Sequence, residues 1–412
     1  MAIEDDVLVV GGGLAGVTAA LAAAREGARV RLLSKKESSL RLASGLVDAL
    51  GVVDGAFVAD PYDAIEGLPE THPYRILGAD TLREGLALFD SVAEYRGGHT
   101  DANALVPTHV GSVKPTARYP DSVASGLASR DEKTLLVGFE AEPDLDAPLA
   151  AAHLERAGVP FDVSGATVAF PGDLRDDAKV TRFAKLLDEE PSVRRELAER
   201  VKPHLDGAAR VGFPAVLGQD HASEVRAALE SHLGATVFEI PMGPPSLLGL
   251  RLQERLYEAL DAEGVAVETG NPVVDFDAAE GEIEQVVAEH THTRVPYAAS
   301  QYVLATGGLV GKGIDSTREV VREPVFGCHV AHPENRYEWF ADGAYGDHPF
   351  ARFGVGIDAD ARPLDGEGEV EYENLRAAGG VVGGADIAAE KSGSGVSLAT
   401  GYVAGQRAGE LI

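Results

Sequence analysis

A chain of 412 residues, 45% of them apolar, is long enough for two domains or for one large domain carrying an insertion. Its 66 acidic residues against 36 basic ones leave a net charge of −30 with no basic stripe, which argues against nucleic-acid binding. A single cysteine, Cys328, excludes disulfides within the chain and any iron–sulfur cluster held by several of its own cysteines, and no apolar run approaches the roughly 18 residues of a membrane span.

The first element is the apolar run Val7-Leu8-Val9-Val10, which reads as a buried parallel strand. It breaks into Gly-x-Gly-x-x-Gly, with Gly11, Gly13 and Gly16 flanking Leu14 and Ala15. Val17–Arg25 reads as an Ala-rich helix and Arg29–Leu33 as a second strand, so a βαβ unit opens the chain. Gly11 permits the tight turn, Gly13 lets backbone approach a phosphate, and Gly16 lets the helix pack on the strand. The phosphate would sit on free N–H groups at the positive end of the helix. The motif by itself also fits a glycine-rich turn that packs well and binds nothing. Such units usually place an acid at the end of the second strand, where it bonds the adenosine ribose. Here Ser34 stands at that place, followed by Lys35 and Lys36. Either the ribose is held differently, or the cofactor is a mononucleotide with no adenosine ribose.

The stretch Ser38–Gly51, which includes Ser44 and Gly45, is rich in small residues that could lie against a flat ring or could form an ordinary loop. Residues 60–78 read as a loop. Leu82, Leu86, Phe89, Val92 and Ala93 recur at helical spacing. Residues 97–130, rich in Gly, Pro, Ser and Thr, read as short strands and turns. From 133 onward strands and helices alternate independently: strands at 134–139, 159–163, 210–213 and 235–240, and helices at 148–157, 178–202 (broken at Pro191) and 221–233. This block, 100–240, is expected to be an inserted α/β domain.

Ser246 can cap a helix over 247–263. Strands follow at 265–268 and 272–276, then a hairpin over 281–297, then a buried strand ending in Ala305-Thr306-Gly307-Gly308. A third side-chain-poor site contains Gly379 and Gly384. A Gly/Ser turn then leads through Ser394 and Gly395 into a helix starting at Val396, whose N–H groups could face a partially negative ligand atom. The fold expected is α/β: a Rossmann-like domain from 1–99 and 241–412, interrupted by the inserted α/β domain.

With three glycine sites in this order, the chain resembles flavin-dependent oxidoreductases of the fumarate reductase/succinate dehydrogenase flavoprotein type. Closer blocks are Ser38-Ser39-Leu40, Ser44-Gly45, Asp48, His72-Pro73-Tyr74, Leu77-Gly78, Pro244 to Gln253, Arg322 to Gly327 and Glu373-Asn374-Leu375. In these the chain resembles the B-subunit family of anaerobic glycerol-3-phosphate dehydrogenases over nearly its whole length. That resemblance implies a bound flavin, FMN or FAD, held around Gly11, Gly13, Leu14, Ala15, Gly16, Ser34, Ser44, Gly45, Thr306, Gly307, Gly379, Gly384, Ser394, Gly395 and Val396. It implies a complex with a catalytic A subunit and an iron–sulfur C subunit that passes electrons to quinone. It implies oxidation of sn-glycerol 3-phosphate to dihydroxyacetone phosphate by that complex. One departure from the family pattern is Glu390-Lys391, where a Gly-rich turn is expected.

A phosphate would want guanidinium or ammonium donors. Arg41, Lys114, Arg118, Arg251 and Arg322 are candidates, and Arg251 stands out because it lies inside a motif block. His72, His109 and His329 lie near glycine-rich or motif segments and could serve as a base or merely pack. No His/Asp/Glu cluster has metal-ligand spacing, so no metal is expected. Cys328 reads as a small buried residue. A high acid content with only nine lysines fits a cytosol of very high salt, where screening suppresses self-repulsion. The expected location is cytoplasmic, with membrane association only through a partner chain. The rival readings are a free-standing FAD-dependent dehydrogenase and a non-catalytic scaffold.

Overall fold

The computed structural model describes residues 2–172, 174–175, 178–291 and 293–412. The chain divides into two compact units: Met1–Ser39 with Asp48–Ala93 and Arg255–Ile412, and Leu40–Val47 with Glu94–Glu254. The second division falls inside the helix Leu247–Ala262.

The first unit is built on a seven-stranded mixed sheet. Strand Ile3–Val10 lies between Val30–Ser34 and Thr293–Leu304 and is parallel to both. Ala266–Thr269 extends the sheet beyond Val30–Ser34, and Leu375–Ala377 adds to the C-terminal end of Thr293–Leu304, both in parallel. Glu282–His290 pairs antiparallel with Thr293–Leu304 and with Val273–Ala279, so the expected hairpin is present. Val7 to Val10 are buried, as befits a strand with neighbours on both sides and helices on its faces.

The helix Leu14–Arg25 owes its position to small residues. Its partner is the C-terminal helix Gly393–Glu410, which approaches through Gly401 and Gly405. A Cβ on Gly401 would stand 2.6 Å from the carbonyl oxygen of Ala15, and one on Gly405 2.1 Å from that of Ala19. The helix Ala79–Val92 docks through Gly85, whose Cβ would meet the Leu398 carbonyl at 2.6 Å. Backbone-to-backbone packing of this kind leaves no room for even one added methyl group.

The second unit is a four-stranded parallel sheet in the order Val163–Val168, Thr134–Phe139, Arg210–Pro214, Thr236–Ile240. Helices Ala147–Ala157, Val180–Glu189, Pro191–Val201 and Ala222–Leu233 connect its strands. One core carries Phe139, Phe170, Phe183 and Phe213, with Phe139 and Phe170 edge to face at 5.1 Å. Arg210, 2% exposed, donates to the carbonyls of Ser125 and Leu127 at 2.9 and 3.2 Å, pinning that turn to the start of the strand Arg210–Pro214.

Two stretches differ from expectation. Residues 60–78 hold two short helices, Pro61–Ile65 and Pro73–Leu77. Asp60 and His72 cap them, accepting the N–H groups of Tyr62 at 2.8 Å and Tyr74 at 3.1 Å, and proline begins each. The strand expected at 159–163 runs over Val163–Val168 instead. Gly158, in the left-handed region, ends the preceding helix, and the chain needs the next four residues to reach the sheet edge.

Candidate functional site

The glycine bend after strand Ile3–Val10 performs three separate tasks. Gly11 has φ +126°, and a Cβ there would lie 2.1 Å from the carbonyl oxygen of Ala305. A Cβ on Gly16 would lie 1.9 Å from the Gly11 carbonyl oxygen, so helix and turn touch directly. Gly13 is different: the nearest atom to a Cβ there is Ser39 Oγ at 3.5 Å. Nothing in the local packing requires glycine at 13. The helix Leu14–Arg25 begins there with Gly13 as its cap, no side-chain capping bond and no acid in its first turn. Its leading N–H groups are therefore available to an anion.

The other two bends meet the first within this same unit. Ala305 and Thr306 lie against Gly11. A Cβ on Gly308 would stand 2.6 Å from the Gly380 carbonyl oxygen, and one on Gly379 (φ +76°) 2.6 Å from the Ala15 Cβ. At Gly307 (φ +84°) a Cβ would only touch Gly311 Cα, at 3.5 Å, and the glycine is needed for its backbone conformation. Beside it the Thr306 hydroxyl oxygen is buried and has no hydrogen-bond partner among the described residues. A buried hydroxyl left unpaired costs about 1–3 kcal/mol, and a ligand that bonds it would recover that cost. The absence of a steric clash at Gly13, the uncapped helix N–H groups and the orphan Thr306 hydroxyl together fit a bound nucleotide-type cofactor.

Ser34 is buried at the end of Val30–Ser34, with its Oγ donating to the Lys36 carbonyl at 2.6 Å. Between Ser34 and the bend sits Tyr257, whose hydroxyl donates to the Gly12 carbonyl at 3.0 Å. A Cβ on Gly12 would meet Tyr257 Oη at 2.6 Å and Ser34 Oγ at 3.1 Å. Burial raises the Tyr257 phenol pKa, so it remains a donor. Sequence reasoning missed Tyr257, which falls off the apolar stripe of its helix and has no motif around it.

The C-terminal bend carries corrections. Gly395 donates its N–H to the Asp48 carbonyl at 2.7 Å, and a Cβ there would meet Tyr74 Oη at 2.2 Å. Val396 donates to the Ser392 carbonyl at 2.8 Å. The helix begins at Gly393, so these two residues lie inside its first turn and their donors are taken. Ser394, at the second position, is half-buried. The Gly379 N–H goes to the Thr400 hydroxyl at 2.8 Å. Gly384 packs against Thr71, with a Cβ distance of 2.1 Å to that carbonyl oxygen, and donates to the Arg352 carbonyl at 3.0 Å. Its role is to admit the His72 segment.

Ser44 and Gly45 belong to the second unit. A Cβ on Gly45 (φ +76°) would stand 2.3 Å from Leu248 Cβ, and its carbonyl accepts from the Tyr95 hydroxyl at 2.9 Å. Gly45 is thus a close-approach glycine for the helix Leu247–Ala262.

The candidate bases and cations are largely engaged. His72 is fully buried. Its Nδ1 accepts from Tyr74 N–H, so Nε2 carries the proton and faces Glu390 Oε2 at 3.2 Å. Ser392 Oγ donates to the same oxygen at 2.8 Å. Burial pushes the Glu390 carboxyl up, but the bonds from His72 and Ser392 outweigh it and hold the pKa below the usual value. Glu390-Lys391 thus anchors the turn before the last helix, with Lys391 in the left-handed region at φ +54°. Arg251 forms a fork with Glu239, Nη1 to Oε2 at 2.6 Å and Nη2 to Oε1 at 3.1 Å, and also donates to the Gly218 carbonyl. Glu239 is fully buried; burial raises its pKa, yet Arg251 brings it below the usual value. The Arg251 fork is therefore spent within the second unit. His329 is exposed and donates its backbone N–H to Glu371 at 2.6 Å. Arg322 is exposed and lies 3.6 Å from Asp315. Cys328 is buried, and burial raises its thiol pKa. Among the described residues no group of three or more His, Cys, Asp or Glu could hold a metal, and no helix is long and apolar enough to cross a membrane.

Comparison with known proteins shows the family. A family model described as an FAD binding domain matches residues 6–396. The chain is 61% identical to the B subunit of a probable anaerobic glycerol-3-phosphate dehydrogenase from Halobacterium salinarum, over 100% of this chain and 99% of the relative. It is 31% identical to the B subunit of the anaerobic glycerol-3-phosphate dehydrogenase of Pectobacterium atrosepticum, over 95% of this chain and 96% of the relative. Among solved structures it is similar to an open-conformation flavocytochrome c3 fumarate reductase, at 11% identity and TM-score 0.47, over 99% of this chain and 78% of that one. The halophile relative fits the acid-rich, lysine-poor composition. The three converging bends and the near-full-length matches lead to one conclusion: the chain is a flavoprotein of the FAD-binding family, and belongs to the B-subunit family of anaerobic glycerol-3-phosphate dehydrogenases.

Proposed function

We propose that this chain is the flavin-carrying member of a glycerol-3-phosphate:quinone oxidoreductase, acting between a catalytic A subunit and an iron–sulfur C subunit held at the membrane. The complex would convert sn-glycerol 3-phosphate to dihydroxyacetone phosphate, releasing two electrons and two protons that finally reduce quinone. The observation that carries this reading is the meeting of the bends at Gly11–Gly16, Ala305–Gly308 and Gly379–Gly380 beside uncapped helix N–H groups and an unpaired hydroxyl.

A flavin bound there would supply two-electron exchange with a substrate and one-electron exchange with an iron–sulfur centre. The chain's own residues would do the rest. Helix N–H groups after Gly13 would neutralise a flavin phosphate. The Thr306 hydroxyl would bond a polar atom of the ring or its side chain. The His72–Glu390–Ser392 network would fix the start of the helix Gly393–Glu410, whose Gly401 and Gly405 hold the helix Leu14–Arg25 in place.

A second reading concerns where substrate is oxidised. His72 is sealed by Glu390 and Tyr74, and both terminal nitrogens of Arg251 are taken by Glu239 and the Gly218 carbonyl, so neither offers a fork or a free ring nitrogen to a substrate. This favours electron relay in this chain, with the hydride step in the A subunit. Reconstitution tests both readings. The assembled complex should reduce a quinone analogue with sn-glycerol 3-phosphate, and the isolated chain should not reduce a dye with that substrate. Rapid dye reduction by the isolated chain would move the chemistry into it. Full quinone reduction without this chain would remove it from the path.

A further inference from the structure

A dinucleotide held by a strand–glycine–helix unit runs its adenosine ribose between the glycine bend and the end of the second strand, where an acid takes the ribose hydroxyls. In this chain those two places are the bend Gly11–Gly13 and Ser34. The room between them is filled by a side chain from elsewhere in the same unit. Tyr257, on the helix Leu247–Ala262, donates its hydroxyl to the Gly12 carbonyl at 3.0 Å. The point one bond off Gly12, where a Cβ would stand, lies 2.6 Å from Tyr257 Oη, 3.1 Å from Ser34 Oγ and 3.2 Å from Ser34 Cβ. Bend, phenol and strand end therefore close on one another at that point.

The polar groups at this junction are also spent. Tyr257 Oη bonds the Ser38 side chain as well as Gly12. Ser34 donates to the Lys36 carbonyl at 2.6 Å, and both Ser34 and Ser38 are buried. Glu268, the acid on the adjoining strand Ala266–Thr269, accepts from Arg31 at 2.5 Å and from the Tyr297 hydroxyl at 2.8 Å. Neither Ser34 nor Glu268 is thus left for a ribose diol. An adenosine half would have to expel the phenol, break its bonds to Gly12 and Ser38, and leave its own ribose hydroxyls poorly paired. The phosphate end is built differently. The helix Leu14–Arg25 opens with uncapped N–H groups and no acid in its first turn, and a Cβ on Gly13 would meet nothing closer than Ser39 Oγ at 3.5 Å.

We propose that Tyr257 sets the length of the flavin this chain takes: its phenol closes the adenosine end, so that the site holds FMN and shuts out the second half of FAD. The assignment rests on the reading above, in which a flavin phosphate sits on the helix after Gly13. Selectivity of this kind comes from volume already occupied, an element built against the longer ligand rather than a contact made with the shorter one. The frame of an FAD-binding family is kept, and one side chain from a distant helix takes up the part that a dinucleotide would use. The ring supplies the obstruction and its two hydrogen bonds hold it in place. Removing the ring and removing only the hydroxyl therefore have different consequences.

The test uses full-length protein freed of its flavin, kept in one multimolar potassium chloride buffer, and titrated with FMN and separately with FAD by flavin fluorescence. The unaltered protein should bind FMN about a hundredfold or more tighter than FAD. Tyr257→Ala opens the end and should bring the two affinities within about threefold, through a gain for FAD rather than a loss for FMN. Tyr257→Phe keeps the ring and should still prefer FMN by about tenfold or more. A readout that needs no variant is the cofactor released by acid from the protein as purified, which should run as FMN alone. Release of FAD, equal affinity of the unaltered protein for both flavins, or a folded Tyr257→Ala variant as selective as before would overturn the role of Tyr257 and leave the flavin site standing. Binding of neither flavin would overturn that role together with the reading beneath it.

Discussion

Gly308 and Gly380 stand backbone against backbone: a Cβ on Gly308 would lie 2.6 Å from the Gly380 carbonyl oxygen, and one on Gly380 3.1 Å from the Gly308 nitrogen. Two segments far apart in sequence are therefore locked where the first glycine bend also arrives. Gly308→Ala must push these backbones apart. It should cost about 1–3 kcal/mol of stability and lower flavin retention. Thermal unfolding and flavin absorbance of the purified variant check this. A fully stable, fully loaded variant would show that the contact is slack.

The His72–Glu390 pair makes a pH prediction. The Glu390 pKa is lower in the folded protein than the ordinary value of 4.5. Its stabilisation is then complete above the unfolded value and is lost as pH falls through the folded one. Glu390→Gln should lower the unfolding midpoint at pH 7, by the equivalent of about 1–2 kcal/mol. The gap to the unaltered protein should narrow below pH 4.5. Midpoints measured across that range at constant salt decide it; a gap independent of pH would mean the carboxylate is not the stabilising form.

Arg251 and Glu239 form a buried pair, and breaking one side should cost more than replacing both. Arg251→Met should destabilise by about 3–5 kcal/mol because it strands a buried carboxylate, whereas Arg251→Met/Glu239→Leu should recover much of that loss. Denaturant unfolding of the single and double variants measures the difference. A double variant no more stable than the single one would argue that Arg251 matters for something other than Glu239.

Net charge of −30 predicts salt dependence. At about 0.1 M salt the screening length is about 10 Å and the acidic surface repels itself; in molar salt this repulsion is quenched. The unfolding midpoint should rise steeply with potassium chloride. A midpoint indifferent to salt would contradict the reading.

The framework of the candidate site could be read from sequence because its grammar is local. Strand, Gly-x-Gly-x-x-Gly and helix sit within one short stretch, and Thr306–Gly307 ends an obvious buried strand. What could not be read depends on distant partners. Gly45 looks like a ring contact until Leu248 is seen against it, and Gly384 until Thr71 is. Arg251 looks like a phosphate ligand until Glu239 appears inside a neighbouring strand. The Gly395 and Val396 donors look free only if the helix begins after them, and it begins at Gly393. The short helices at 61–65 and 73–77 did carry signals, Asp60-Pro61 and His72-Pro73, in which a capping side chain precedes a first-turn proline. Tyr257 left no trace, since a tyrosine between two strand ends is specified by shape alone.

The most direct measurement is the flavin content of the purified chain beside that of Gly13→Val, by absorbance and by chromatography of the acid-released cofactor. Gly13 has room for a side chain in the protein itself, so the variant should fold with an unchanged unfolding midpoint in molar salt. The account predicts about one flavin per unaltered chain and little or none in the variant. A colourless unaltered chain, or a variant that keeps its full flavin, would contradict it.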